Sequence, residues 1–230
     1  MKRGVYVSYA LRAVARIRRR CNVAISAKPM MQPERMKALT DGVLAIVLTI
    51  LVLSFEVPEH RFGHDALIDF FWHLTVPFVA YVVSFGIVAA YWMQHAAIFH
   101  YVQVGNRTFF WLNILFLLPL TLLPFLTDLR ATYYDEYMAT ILYAGANIMC
   151  GLILFAMWSY GKRRGLLREL ASVVDRSMRN RILLGLAINI LGAAVAPVSP
   201  YLSTLAFLCL PVIYMSHRTV DSHWGSDGDN

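Results

Sequence analysis

Apolar residues in this chain arrive in six runs, each about as long as a helix that crosses a lipid bilayer. Spanning roughly 30 Å of hydrocarbon at 1.5 Å per residue takes about 20 residues. The runs lie near residues 38–57, 72–98, 108–127, 137–160, 181–197 and 200–216. Within a bilayer every backbone N–H and C=O must be satisfied inside the protein, so runs of this length predict helices. The last two are the shortest. They are divided by Ala196-Pro197-Val198-Ser199-Pro200, a tight hairpin between antiparallel helices. Of the 230 residues 58% are hydrophobic and only 15% are charged, against about 25% charged in ordinary soluble domains. With a mean hydropathy of +0.54, this excludes a disordered chain and argues against a soluble enzyme. The predicted fold is all-α, with six transmembrane helices in a domain over residues 33–216. A basic extension (1–32) precedes it and a short polar tail (217–230) follows it.

Charge sets the expected orientation. Ten Lys/Arg precede the first span up to Lys37, seven more lie in 161–181, and Arg107 and Arg218 bring that side to 19. The other side has only Arg61 and Arg130, against seven acids: Glu56, Glu59, Asp65, Asp69, Asp128, Asp135 and Glu136. Cations concentrate on cytoplasmic loops, so both termini are expected in the cytoplasm of a multi-pass protein. The net charge of +7 sits in blocks beside apolar runs with little aromatic interleaving, which argues against nucleic acid as a partner. The first residues interleave Arg12, Arg16, Arg18, Arg19 and Arg20 with Leu11, Val14 and Ile17. They lack the apolar core and cleavage site of a signal peptide. Such a stretch could lie on the anionic leaflet, or be a dispensable extension with Met30 or Met31 as the true start.

Little in the sequence suggests metal or covalent chemistry. Cys21, Cys150 and Cys209 are odd in number and far apart, forming neither a disulfide framework nor a zinc pattern. His60 and His64 have metal-like spacing but no third obvious ligand. No nucleotide-binding, metalloprotease or nucleophile-elbow motif is present. No cofactor is expected, and the chain does not read as an enzyme. Asn113, Asn147 and Asn189 suit hydrogen bonds between helices better than ligand binding.

The most informative stretch runs from Arg35 to Leu53. At 100° per residue, Arg35, Leu39, Gly42, Ile46, Thr49, Ile50, Leu53 and Val57 fall within a sector of about 100°, whereas Asp41 and Leu48 project oppositely. One stripe is thus apolar with a single hydroxyl. If several copies of this helix ring an axis, the stripe lines a pore. Alternatively it packs a core, with Thr49 back-bonding to the Ala45 carbonyl. Thr40 and Asp41 could likewise be only a helix-start signal.

Arg35, Leu39, Thr40 and Asp41 occupy the four positions of a first-helix signature: Arg, three residues, then Phe-Ser-Asp. In this the chain resembles the prokaryotic relatives of the lysosomal potassium channel, transmembrane protein 175. Leu replaces the signature Phe, and Thr keeps the hydroxyl of the Ser. The apolar run Val43 to Leu53 with its Thr49, followed by Glu56-Val57-Pro58, also fits, as do Trp92 with His95 and Asn113 with Pro119. The resemblance covers about residues 33–216. It implies a homotetramer in a prokaryotic plasma membrane, with first helices surrounding a path for potassium ions. It places the apolar constriction on Ile46, Ile50 and Leu53, and a hydroxyl layer contributing to potassium preference on Thr49. No Thr-Val-Gly-Tyr-Gly filter is present, so an apolar ring would act by dewetting and ion dehydration. Arg35, Thr40, Asp41, Trp92, His95 and Asn113 form the expected polar network, with Trp92 and His95 as partners of Asp41. An interfacial histidine, or a proton relay through His95 and Asp41, is the other reading of these residues. The relay would suit a proton-coupled transporter, although no broken helices in corresponding halves or mid-membrane charge support one.

Overall fold

A computed structural model describes residues 32–55 and 63–216 of the chain. Among them, α1 (Pro33–Ile50) is extended by a short 3-10 turn (Leu51–Ser54). It is followed by α2 (His64–His73), α3 (Thr75–Tyr101), α4 (Arg107–Thr132), α5 (Tyr137–Arg163), α6 (Ala171–Val195) and α7 (Pro200–Ser216). No strand occurs among the described residues apart from one isolated bridge, Val102 to Leu167. Five helical segments are long and apolar enough to cross a membrane, α2 and α3 counting as one, and α7 is a shorter apolar helix. The chain is an all-α, multi-pass membrane protein. The basic extension up to residue 31, the tail from 217, and Glu56, Val57, Pro58, Glu59, His60 and Arg61 lie outside the described residues.

Three boundaries differ from the expected ones. The first helix begins at Pro33 rather than near 38, because proline at the first helical position has its φ preset and needs no N–H partner. The second span begins before 72 and is broken at Leu74. Pro77 lacks the N–H that would bond the His73 carbonyl, and the helix restarts there. The fifth span starts at Ala171, ten residues before the predicted 181. Its first turns carry Asp175, Arg176, Arg179 and Arg181, which an apolar count rejects. Asp175 is served locally: it accepts from Trp158 Nε1 at 2.8 Å and pairs with Lys162 Nζ at 2.6 Å.

The connection between α5 and α6 therefore shrinks to a short turn. Gly165 takes a left-handed φ of +65° there, a conformation that costs glycine nothing. This turn is tied to the α3–α4 connection by backbone bonds from Gln103 N–H to Leu166 O and from Arg168 N–H to Tyr101 O, both 2.9 Å. Asn106 caps α4 by accepting from Phe109 N–H (2.9 Å) and donating to the Tyr160 hydroxyl (3.0 Å).

The helices close a ring of contacts in which α4 packs on α5, α5 on α6, α6 on α7, α7 on α3, and α1 on α3 and α4. Phe109, Phe116, Tyr143, Trp158 and Phe207 are fully buried in its core. Helices in a membrane gain by close approach at small residues, and α6 meets α7 in this way. A Cβ built on Gly192 would lie 2.5 Å from the Phe207 ring, and Ser203 Oγ donates to Gly192 O at 2.7 Å. We expect Gly192→Ala to cost about 1–3 kcal/mol through forced displacement of that ring. Thermal unfolding in detergent measures this, and an unchanged midpoint would mean that α6 and α7 separate freely.

Candidate functional site

Helix α1 is two-faced. Met36, Thr40, Leu44, Val47 and Leu51 recur at helical spacing and are buried against α3 and α4. Leu39, Gly42, Ile46, Thr49, Ile50 and Leu53 are exposed on the other side, Ile46 at 58% and Leu53 at 71%. Among the described residues, nothing packs over this stripe. Beside it, a groove of about 390 Å³ runs between α1 and α4, lined by Val43, Ile46, Val47, Ile50, Thr121, Pro124 and Phe125. Arg35 is exposed and, among the described residues, makes no hydrogen bond or ion pair with the polar groups described next. Val57 lies outside the described residues.

The Thr49 hydroxyl shares its proton between Ile46 O at 2.8 Å and Ala45 O at 3.1 Å. A hydroxyl has one proton and two acceptor lone pairs. Donating to the helix's own carbonyls leaves the oxygen free to accept, so back-bonding and an outward-facing oxygen are compatible at this position.

Behind the stripe, α1 is fastened by polar contacts to α3 and α4. Asn113 Nδ2 donates to Thr40 Oγ1 at 3.0 Å, and His95 Nε2 lies 2.8 Å from Asn113 Oδ1. All three side chains are fully buried. An amide oxygen can only accept, so Nε2 carries the imidazole proton. The ring is parallel to Phe116 (centroids 5.6 Å apart, 9° between planes) and 4.3 Å from Phe99, and its Nδ1 has no partner. Of the two expected partners of Asp41, Trp92 bonds to it and His95 does not. The aspartate is half-buried and accepts from Trp92 Nε1 at 2.9 Å, while His95 turns to Asn113. Two separate latches, Asp41–Trp92 and Thr40–Asn113–His95, thus hold the helix.

Asn147 and Asn189 are expected to bond between helices; Asn189 meets Tyr91 of α3 in this way, while both amides also turn to their own helices. Each Nδ2 donates to its own helix, to Tyr143 O and Gly185 O respectively, both at 2.9 Å. Further interhelical polar contacts run through Tyr91, whose hydroxyl donates to Asn147 O (2.8 Å), and through Ser84, which meets Tyr143 and Thr127. Arg130, read in the sequence only as a loop-side charge, is buried. A cation close to the end of a span, followed by aromatic-rich helices, is the one signal that could have pointed to this. Among the described residues no group of three metal-ligating side chains occurs.

Residues 35–124 match the family model described as the endosomal/lysosomal potassium channel TMEM175. A potassium channel of Chamaesiphon minutus is 30% identical over 156 residues, 66% of this chain and 76% of its own length. A potassium channel of Streptomyces collinus is 28% identical over 204 residues, 85% of this chain and 93% of its own. Vertebrate proteins described as endosomal/lysosomal proton channels match over a smaller share of their length, the chicken one at 30% identity with 27% of its length covered and the human one at 24% with 40% covered. The crystal structure of the Chamaesiphon minutus lysosomal potassium-selective channel TMEM175 homolog superposes with a TM-score of 0.69 at 25% identity, over 83% of this chain and 98% of that one. With a signature-bearing first helix fastened to α3 and α4, and with relatives covered over most of their length, this chain belongs to the TMEM175 family.

Proposed function

We propose that the chain is a potassium-selective cation channel, a homotetramer in a prokaryotic plasma membrane whose four α1 helices surround the ion path. The observation that carries this reading is the exposed α1 stripe on an edge helix. Its opposite face is locked to the subunit, so the stripe is free to face three copies of itself. In such a ring Ile46, Ile50 and Leu53 form apolar layers at which an ion sheds water. Sodium holds its hydration more tightly than potassium, so a narrow apolar ring favours potassium. The oxygen of Thr49, between two of these layers, offers a ligand to the partly dehydrated ion. Both termini face the cytoplasm, as the 19-to-2 split of cations implies. Residues 33–216 form the channel domain, and potassium is the permeant; no cofactor takes part.

A proton-coupled transporter through Asp41 and His95 is less well supported. Asp41 is bound to Trp92 rather than to His95, and no hydrogen bond leads onward from His95 Nδ1.

Purified protein in planar bilayers under opposed potassium and sodium gradients tests the reading. Unitary currents that reverse near the potassium equilibrium potential are expected. Proton-driven flux without unitary currents would overturn it. Thr49→Val keeps shape and β-branching while removing the oxygen. We expect an intact tetramer with potassium preference or conductance reduced severalfold, and Thr49→Ser retaining most of both. Equal selectivity in wild type and Thr49→Val would sink the hydroxyl layer while leaving the channel reading intact.

A further inference from the structure

Arg130, near the end of α4, is only 5% exposed and has no anion. Its guanidinium lies 5.3 Å from the Tyr143 ring centroid and 5.2 Å from that of Phe207. Nη2 donates to Thr204 Oγ1, which itself donates to Pro200 O at 2.9 Å. Nε has no partner, and among the described residues no carboxylate pairs with this arginine. A guanidinium removed from water without a counterion is costly. Two aromatic faces and one neutral hydroxyl offset part of that cost and leave one edge of the fork unused.

The guanidinium has room beside it, although Nε itself is enclosed. Arg130 lines a cavity of about 190 Å³ together with Thr75, Val79, Ala131, Tyr201 and Thr204. The cavity sits where α3 and α7 begin and α4 ends, at the end of the bundle away from Pro33. Helix α7 starts at Pro200 and turns its positive end toward this space. A buried guanidinium lining the cavity, neighbouring hydroxyls and a helix N-terminus suit the oxygens of a tetrahedral oxyanion better than a spherical anion.

We propose that Arg130 and this cavity bind one phosphate-type oxyanion, supplied either by the phosphodiester of a membrane lipid or by free phosphate. The anion neutralises the arginine and ties the outer ends of α3, α4 and α7 together. The site lies apart from the α1 stripe and is independent of what the channel conducts.

Thermal unfolding of the full chain in neutral detergent, followed by tryptophan fluorescence, tests this. The probes are phosphatidylglycerol, diacylglycerol as its phosphate-free counterpart, and inorganic phosphate against chloride at equal ionic strength. We expect phosphatidylglycerol, or phosphate as well, to raise the wild-type midpoint, with diacylglycerol and chloride inert. A response to the lipid alone assigns the site to a lipid headgroup, and a response to both assigns it to the free anion too. Arg130→Gln should shift the half-maximal concentration upward by about tenfold, as expected for losing charge-assisted hydrogen bonds. Val79→Trp, which fills the cavity and leaves the arginine in place, should do the same if Arg130→Gln fails to fold. No response to either phosphate species in wild type, or an equal response in Val79→Trp, would overturn the proposal.

Discussion

Ile46→Asn should raise unitary conductance and weaken discrimination against sodium. Ile46 is the first bulky residue beyond Gly42 on the exposed stripe, and four copies close the proposed path with apolar surface. An asparagine amide holds water in that layer, so an ion passes with more of its shell intact. Lowering the barrier by about 1 kcal/mol is roughly a fivefold gain in rate, since 1.4 kcal/mol corresponds to tenfold. The same wetting removes the dehydration cost that separates sodium from potassium, so the reversal potential should move toward zero under a potassium/sodium gradient. Because Ile46 is exposed in the subunit, the substitution spares the fold. Single-channel recording beside a thermal melt decides the matter. An unfolded variant tests nothing about permeation, so the melt must first match wild type. Unchanged current and reversal potential in a well-folded tetramer would remove Ile46 from the constriction.

The other large effect is expected at Asn113. Its amide serves two partners at once, accepting from His95 Nε2 and donating to Thr40 Oγ1, all within a fully buried cluster. Asn113→Leu keeps the volume but strands an imidazole N–H and a hydroxyl. Each such buried group costs about 1–3 kcal/mol, so the subunit should lose roughly 2–6 kcal/mol. The loss falls on the joint between α1 and the α3–α4 pair, and it should appear as dissociation of the proposed tetramer in size-exclusion chromatography before global unfolding. Replacing the partners together (Thr40→Val, His95→Phe and Asn113→Leu) removes the orphaned groups and should recover much of the stability. If Asn113→Leu alone melts like wild type, the cluster is not what fastens α1.

Much of this protein was legible as sequence because the bilayer imposes one-dimensional rules. Helix length, apolar content and the asymmetry of Lys and Arg are read along the chain, so an all-α, multi-pass architecture followed without knowledge of any contact. The spacing of Arg35, Leu39, Thr40 and Asp41 was local too, since Arg35 and Leu39, one turn apart, share a face wherever the helix sits, while Thr40 and Asp41 turn away from it. The same one-dimensional reading failed at α6. There Asp175 is made tolerable by Trp158 and Lys162 from the preceding helix, and no window of hydropathy contains that information.

What only the tertiary structure decided are the partnerships between helices. An apolar stripe and an apolar core face look alike in composition; α1 shows Ile46 rather than Val47 to the outside because α3 and α4 cover one side of it and nothing among the described residues covers the other. The register of α3 against α4 sets His95 opposite Asn113 and leaves Asp41 to Trp92, a choice that a sequence naming all four could not make. Arg130 counted as one of two cations beside a membrane surface, until rings from α5 and α7 enclosed it. Periodicity says which residues share a face, but burial depends on what another segment brings to that face, and that is a property of the packed bundle.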